Sequence, residues 1–73
     1  MRRIGILRML NQVGGIIERL DYSADGVLFR KDAVEGERDL PVGSVVSYEQ
    51  TMATNGRHLA KGVRLVKARG TNR

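Results

Sequence analysis

Residues 27–49, VLFRKDAVEGERDLPVGSVVSYE, constrain the fold of this 73-residue chain more than any other stretch. They join a short apolar run with a basic end, a polar loop punctuated by Gly36, Pro41 and Gly43, and a second run in which Val46 and Tyr48 alternate with polar neighbours. Alternation with a period of two sends one set of side chains to a core and the other to water, so the second run reads as a half-buried strand. Pro41 has no amide hydrogen for a central ladder, which keeps residues 32–43 mostly in a loop.

The surrounding signals are also β. Ile16-Ile17-Glu18-Arg19-Leu20 reads as a strand, and the turn dipeptide Asp25-Gly26 stands directly before Val27-Leu28-Phe29, so a hairpin with its turn near residues 23–26 is predicted. Asn55-Gly56 signals a second hairpin of type I′, with residues 58–66 returning as a strand that carries Leu59, Val63 and Leu65 on one face. The first thirteen residues are ambiguous. Ile4, Leu7, Leu10 and Val13 recur every third residue as on a helix, whereas Ile4-Gly5-Ile6 reads as strand, and Gly5 disfavours a helix by about 1 kcal/mol. Gly14 and Gly15 read as punctuation that ends this segment. The expected architecture is all-β, a small antiparallel sheet of about four strands over residues 14–66. An N-terminal segment, strand or short helix, packs on it, and a loose basic tail begins at Lys67.

Charge and composition bound what such a domain can do. A chain this small hides roughly 60% of the surface its unfolded form exposes, which leaves little room for a deep catalytic cleft. There is no cysteine, so neither a disulfide framework nor a thiolate metal site can support the fold. No apolar run approaches a membrane helix and no leader-like segment opens the chain, so a cytoplasmic protein without membrane contact is expected. The net charge of +5 is unevenly spread: residues 1–8 and 57–73 hold bases and no acid, while all eight acids fall between Glu18 and Glu49. Basic ends suit a polyanion, because each neutralised phosphate releases counterions, and an acidic middle on the same face would oppose it.

From residue 14 to 66 the sequence resembles the cold-shock family of nucleic-acid-binding domains. Residues 27–36, VLFRKDAVEG, resemble that family's second ribonucleoprotein strand, VFVHFSAIxG, and residues 36–43, GERDLPVG, follow its G-[FY]-R-S-L-x-x-G without a gap. Val46-Ser47-Tyr48-Glu49 matches V-E-F-E, Ala60-Lys61-Gly62-Val63-Arg64 is similar to A-x-N-V-R, and Gly15-Ile16-Ile17 is similar to the opening G-T-V. The resemblance implies an incomplete OB-like barrel, Phe29 and Tyr48 in its core, and single-stranded RNA or DNA as a ligand. The departures are chemical. Glu18-Arg19-Leu20 stands where the family has Lys-Trp-Phe, Leu28 and Arg30-Lys31 where it has Phe and His-Phe, and Glu37 replaces the ring after Gly36. On this alignment the strand with the first ribonucleoprotein motif, K-G-F-G-F-I, has no counterpart, and residues 3–10 are expected to cover the gap it leaves. Base stacking, worth about 1–3 kcal/mol per base, would have only Tyr22 to use, and Arg19, Arg30 and Lys31 would replace it with phosphate contacts.

The candidate nucleic-acid residues are therefore Arg19, Tyr22, Arg30, Lys31, Arg38 and Lys61, and the candidate partner-binding residues are Arg2, Arg3, Ile4, Leu7 and Arg8. Catalytic machinery is not expected. His58 is the single histidine, it would be the only base for Ser23, Ser44 or Ser47, and Glu35, Glu37 and Asp39 read as solvated loop acids. A metal and a small-molecule substrate or cofactor are not expected either, and Gly14-Gly15 lacks the rest of a phosphate loop. Two functions fit. One is a transcription regulator, acting by inhibition or antitermination, that binds RNA polymerase or another transcription factor and, secondarily, nascent RNA; small basic phage-encoded regulators of host polymerase are similar in size and charge. The other is a general single-stranded RNA or DNA binder of cold-shock type.

Overall fold

Both runs of the 27–49 stretch are strands in the computed structural model, which describes residues 2–20, 26–36 and 40–67. In chain order the strands are β1 (Arg2–Leu10), β2 (Gly14–Arg19), β3 (Gly26–Arg30), β4 (Val45–Met52) and β5 (His58–Lys67), with a short 3-10 turn, Lys31–Ala33, after β3. They close into a barrel in the order β1-β2-β3-β5-β4, antiparallel except where β3 meets β5. The fold is an all-β, OB-like barrel. The N-terminal segment is its fifth strand, paired on one side with β2 and on the other with β4, so the barrel is closed rather than incomplete. Among the described residues no helix is long and apolar enough to cross a membrane.

The ambiguous spacing in β1 has a β explanation. Leu7 pairs with Ile17 and Met9 with Ile16, which leaves Arg8 as an extra, bulged residue. A bulge resets the alternation of faces. Leu7 points inward and is fully buried, Met9 turns outward at 45% exposure, and Leu10 packs against the core. Two inward residues three apart are the mark of a bulged strand here, not of a helix. Leu7, expected among the partner-binding residues, is instead core: its side chain has no surface to offer.

β5 uses the same device. Gly62, at φ +60°, lies between Lys61, opposite Glu49, and Arg64, opposite Ser47. The inward residues of β5 are consequently Ala60 and Val63, and the predicted common face of Leu59, Val63 and Leu65 does not form: Leu65 is 37% exposed. The hairpin before β5 exists, but its turn spans residues 53–56 with Gly56 at φ +84°, closed by the Gly56 amide donating to the Ala53 carbonyl. Asn55 is thus a central residue and Gly56 the left-handed residue after it, a three-residue loop instead of type I′.

Gly14 and Gly15 are strand residues, which corrects their reading as punctuation. They pair with Arg30 and Phe29 across the β2–β3 seam, and the turn that precedes them is held by Asn11, whose Oδ1 accepts from the amides of Val13 and Gly14 at 2.8 and 3.0 Å. Inside the barrel Ile17, Val27, Phe29, Val46 and Tyr48 alternate with outward neighbours, and Val34, Leu40, Ala60 and Val63 complete the core. Phe29 and Tyr48 are buried as the resemblance implies. The predicted turn near residues 23–26 lies outside the described residues apart from Gly26, as does the tail after Lys67, which itself ends β5.

Polar contacts tie the seams together. The Arg2 guanidinium donates to Ser47 Oγ at 2.9 Å and to the Gly62 carbonyl, joining β1 to the bulge of β5. Arg64 Nε donates to Glu35 Oε1 at 2.6 Å, fastening the loop after the 3-10 turn to the same strand. The Arg64 hydrogen bond, and then its charge, hold the Glu35 carboxyl below its ordinary value of 4.5. A carboxyl depressed in the folded state stabilises above the unfolded pKa and loses that contribution as the pH falls through the folded one. In the variant Arg64→Met the Glu35 titration, followed by carboxyl NMR, is expected to move up toward 4.5. Its small melting deficit relative to the parent should shrink as the pH falls below 4.5 and disappear below the depressed value that Glu35 has in the parent.

Candidate functional site

Inward faces of a small barrel fill the single core, so outward faces should be polar. On one side they are not. Met9 of β1 pairs with Ile16 of β2, Ile16 pairs with Leu28 of β3, and Leu28 pairs with Leu59 of β5, so four successive strands each contribute one outward aliphatic side chain to a continuous row. Cross-strand neighbours on one face stand about 5 Å apart at Cβ, close enough to pack on one another and still present their tips to solvent. The bulge at Arg8 is what brings Met9 into this row.

The row lies in two shallow depressions that share Ile16 and Leu28. One, of about 510 Å³, is lined by Ile16, Gly26, Leu28, Gly56, Arg57 and His58. The other, of about 320 Å³, runs over Met9, Val13, Leu28 and Leu59 to Arg30. Arg57 comes from the loop between β4 and β5 and Arg30 from the end of β3, so a cation stands at each end of the apolar floor. His58 is engaged laterally, with Nδ1 2.9 Å from Gln50 Nε2. Ser47 Oγ accepts from Arg2 and Ser44 is fully buried, so neither serine is presented beside His58.

The structure divides the expected nucleic-acid set. Arg30, Lys31 and Lys61 gather at one end of the face, because β3 and β5 run parallel and Arg30 and Lys61 each lie two residues past the paired Leu28 and Leu59. Arg30 is 3.7 Å from Asp32, an exposed pair that water screens. Arg19 is not with them. It ends β2 at the end away from Arg30, where Arg3, Ile4, Leu20 and Tyr48 line a separate depression of about 190 Å³. Tyr22 and Arg38 fall outside the described residues.

The expected partner-binding set is likewise split. Arg3 and Ile4 are exposed beside Arg19, Arg2 is spent on Ser47 and Gly62, Arg8 forms an ion pair with Glu18, and Leu7 is core. Met9, Ile16, Leu28, Leu59 and Arg57 were missed. The signal for them is present in the sequence: Val27-Leu28-Phe29 and Ile16-Ile17 are apolar on both faces of strands that can bury only one. No protein-family model matches the chain, and none of the curated proteins matches it.

Proposed function

We propose that this chain is a non-enzymatic transcription regulator that docks on the RNA polymerase complex through the outer face of β1, β2, β3 and β5, with nascent RNA as a secondary ligand at Arg30, Lys31 and Lys61. The carrying observation is the outward aliphatic row Met9-Ile16-Leu28-Leu59, in which Met9 is exposed and the other three are half-buried. An aliphatic row gains about 25 cal/mol for each Å² it buries, against a protein as readily as against anything else, but offers no ring on which a base could stack.

Strand order also supports the cold-shock likeness while moving its alignment by one strand. β1 takes the place of the family's opening strand and β2 that of the strand with the first ribonucleoprotein motif. On this alignment Arg8-Met9-Leu10 stands for Lys-Trp-Phe, and Ile16 and Leu28 occupy strands where the family presents rings. The surface is retained and its aromatic chemistry replaced, which favours a protein partner over a general single-stranded binder. Immobilised chain is expected to recover polymerase subunits from a bacterial lysate, and the variant Leu28→Asp to recover about tenfold less, since a hot-spot loss of about 1.4 kcal/mol is tenfold. Absence of polymerase, or equal recovery by the variant, would sink the proposal. Oligonucleotide binding that is tight and insensitive to salt would instead support the general nucleic-acid reading.

A further inference from the structure

Resting on the protein-docking reading of this face, we infer the chemistry of what it takes: an acidic peptide segment of the partner, with apolar side chains that fill the row and carboxylates that reach Arg30 and Arg57. Charge complementarity carries the argument. Among the described residues neither depression has an Asp or Glu in its lining, whereas Arg57 lines one and Arg30 the other. Among those residues Arg57 makes no ion pair, and the partner of Arg30, Asp32, is 71% exposed and 3.7 Å away, so an incoming carboxylate can compete for that guanidinium. Lys61, two residues past Leu59 and exposed, stands opposite Glu49 of β4 and so adds less to this field than the two arginines.

Other occupants fit less well. A second copy would bring the same cations against themselves, which costs association where charges of one sign meet. A nucleic acid satisfies the charges but leaves the aliphatic floor against sugar and base edges. A membrane is met by protruding side chains, and here the apolar surface is recessed between two arginines. A row crossing four strands is about 14 Å long, from three spacings of about 4.8 Å, and accommodates about four residues of extended peptide or ten of helix. Two or three apolar side chains flanked by acids match that length.

Anisotropy of fluorescein-labelled twelve-residue peptides tests the inference. The probe carries three leucines among glutamates; companions replace every Glu by Gln or every Leu by Ser, and dT12 and vesicles of anionic lipid serve as the other polyanions. The acidic apolar peptide is expected to bind at low salt, both companions about tenfold more weakly, and Arg57→Glu and Leu28→Ser each to weaken binding at least fivefold with the melting temperature of Arg57→Glu unchanged. Equal binding of the Gln peptide removes the acidic requirement. Preference for dT12 or for vesicles, lost in Leu28→Ser, assigns the face to nucleic acid or to membrane and overturns the inference, as does no peptide binding at all. Polymerase recovery without acidic-peptide binding would leave the docking proposal standing and remove this one; peptide binding without polymerase recovery would do the reverse.

Discussion

A chain lacking residues 2–10 is expected to show no cooperative melting transition. β1 is hydrogen-bonded along both edges, to β2 and to β4, so its removal takes away two ladders at once and leaves two strands with bare edges. It also removes Leu7, whose side chain is fully buried; truncating a buried leucine alone costs about 2–5 kcal/mol. Further bonds go with it. The Leu7 amide donates to the Ser44 carbonyl at 2.9 Å and the Leu7 carbonyl accepts from Gly43 at 2.7 Å, which fixes the entry into β4. The Arg2 clasp on Ser47 and Gly62 is lost as well. A domain of this size holds a net stability of about 4–11 kcal/mol, of which the loss of the leucine alone takes about 2–5 before either ladder is counted. Far-UV circular dichroism through a thermal ramp decides the matter: a truncated chain that melts within a few degrees of the whole would mean that β2 and β4 close the barrel without β1.

The β class, both hairpins and the burial of Tyr48 were legible because each rests on local signals, period-two alternation and turn dipeptides; the burial of Phe29 followed from the family resemblance, and the N-terminal segment, expected as a cover on an incomplete barrel, is a full strand of a closed one. What was not legible is set by irregularities that depend on a neighbouring strand. A bulge shows only when two strands are laid side by side, so Leu7 and Leu10 imitated a helical spacing, and Leu59, Val63 and Leu65 imitated one face of a flat strand. Gly14-Gly15 was misread for a related reason. Glycine pairs mark turns more often than seams, and only the approach of Phe29 and Met9 from either side reveals why side chains are absent there.

The candidate site was half legible. Arg30, Lys31 and Lys61 were chosen for charge and do converge, since the parallel β3–β5 pairing carries them to the same end. Arg19, expected to act with them on the strength of the resemblance, stands at the other end of β2 with Arg3 and Ile4. The aliphatic row escaped because an apolar residue in a strand is credited to the core by default. A barrel of five short strands has one core and ten strand faces, and the surplus of apolar residues has to appear outside.

A large loss of stability is expected for the single substitution Gly15→Val. A Cβ at Gly15 would sit 2.2 Å from the Met9 carbonyl oxygen and 2.7 Å from Phe29 Cζ. The oxygen belongs to the β1 backbone and the ring is 96% buried, so neither can withdraw without opening the β1–β2 seam or the core. Overpacking against side chains alone costs about 1–3 kcal/mol, and a clash with ladder backbone belongs at or above the top of that range. Gly56→Ala is the contrast: nothing lies within 4 Å of its Cβ, and only the positive φ of +84° is strained, for about 1–2 kcal/mol. At about 4–8 °C per kcal/mol in a domain of this size, Gly56→Ala should lower the melting temperature by roughly 5–15 °C and Gly15→Val by more than about 15 °C, or abolish folding. Even Gly15→Ala should exceed Gly56→Ala, because the first carbon already meets the carbonyl. Met9 and Ile16 flank this contact on the outer face, so any Gly15 variant that still folds should also bind the acidic peptide less well than Gly56→Ala does. The opposite order of melting temperatures would mean that the β1–β2 seam yields, and that the glycine pair is a turn after all.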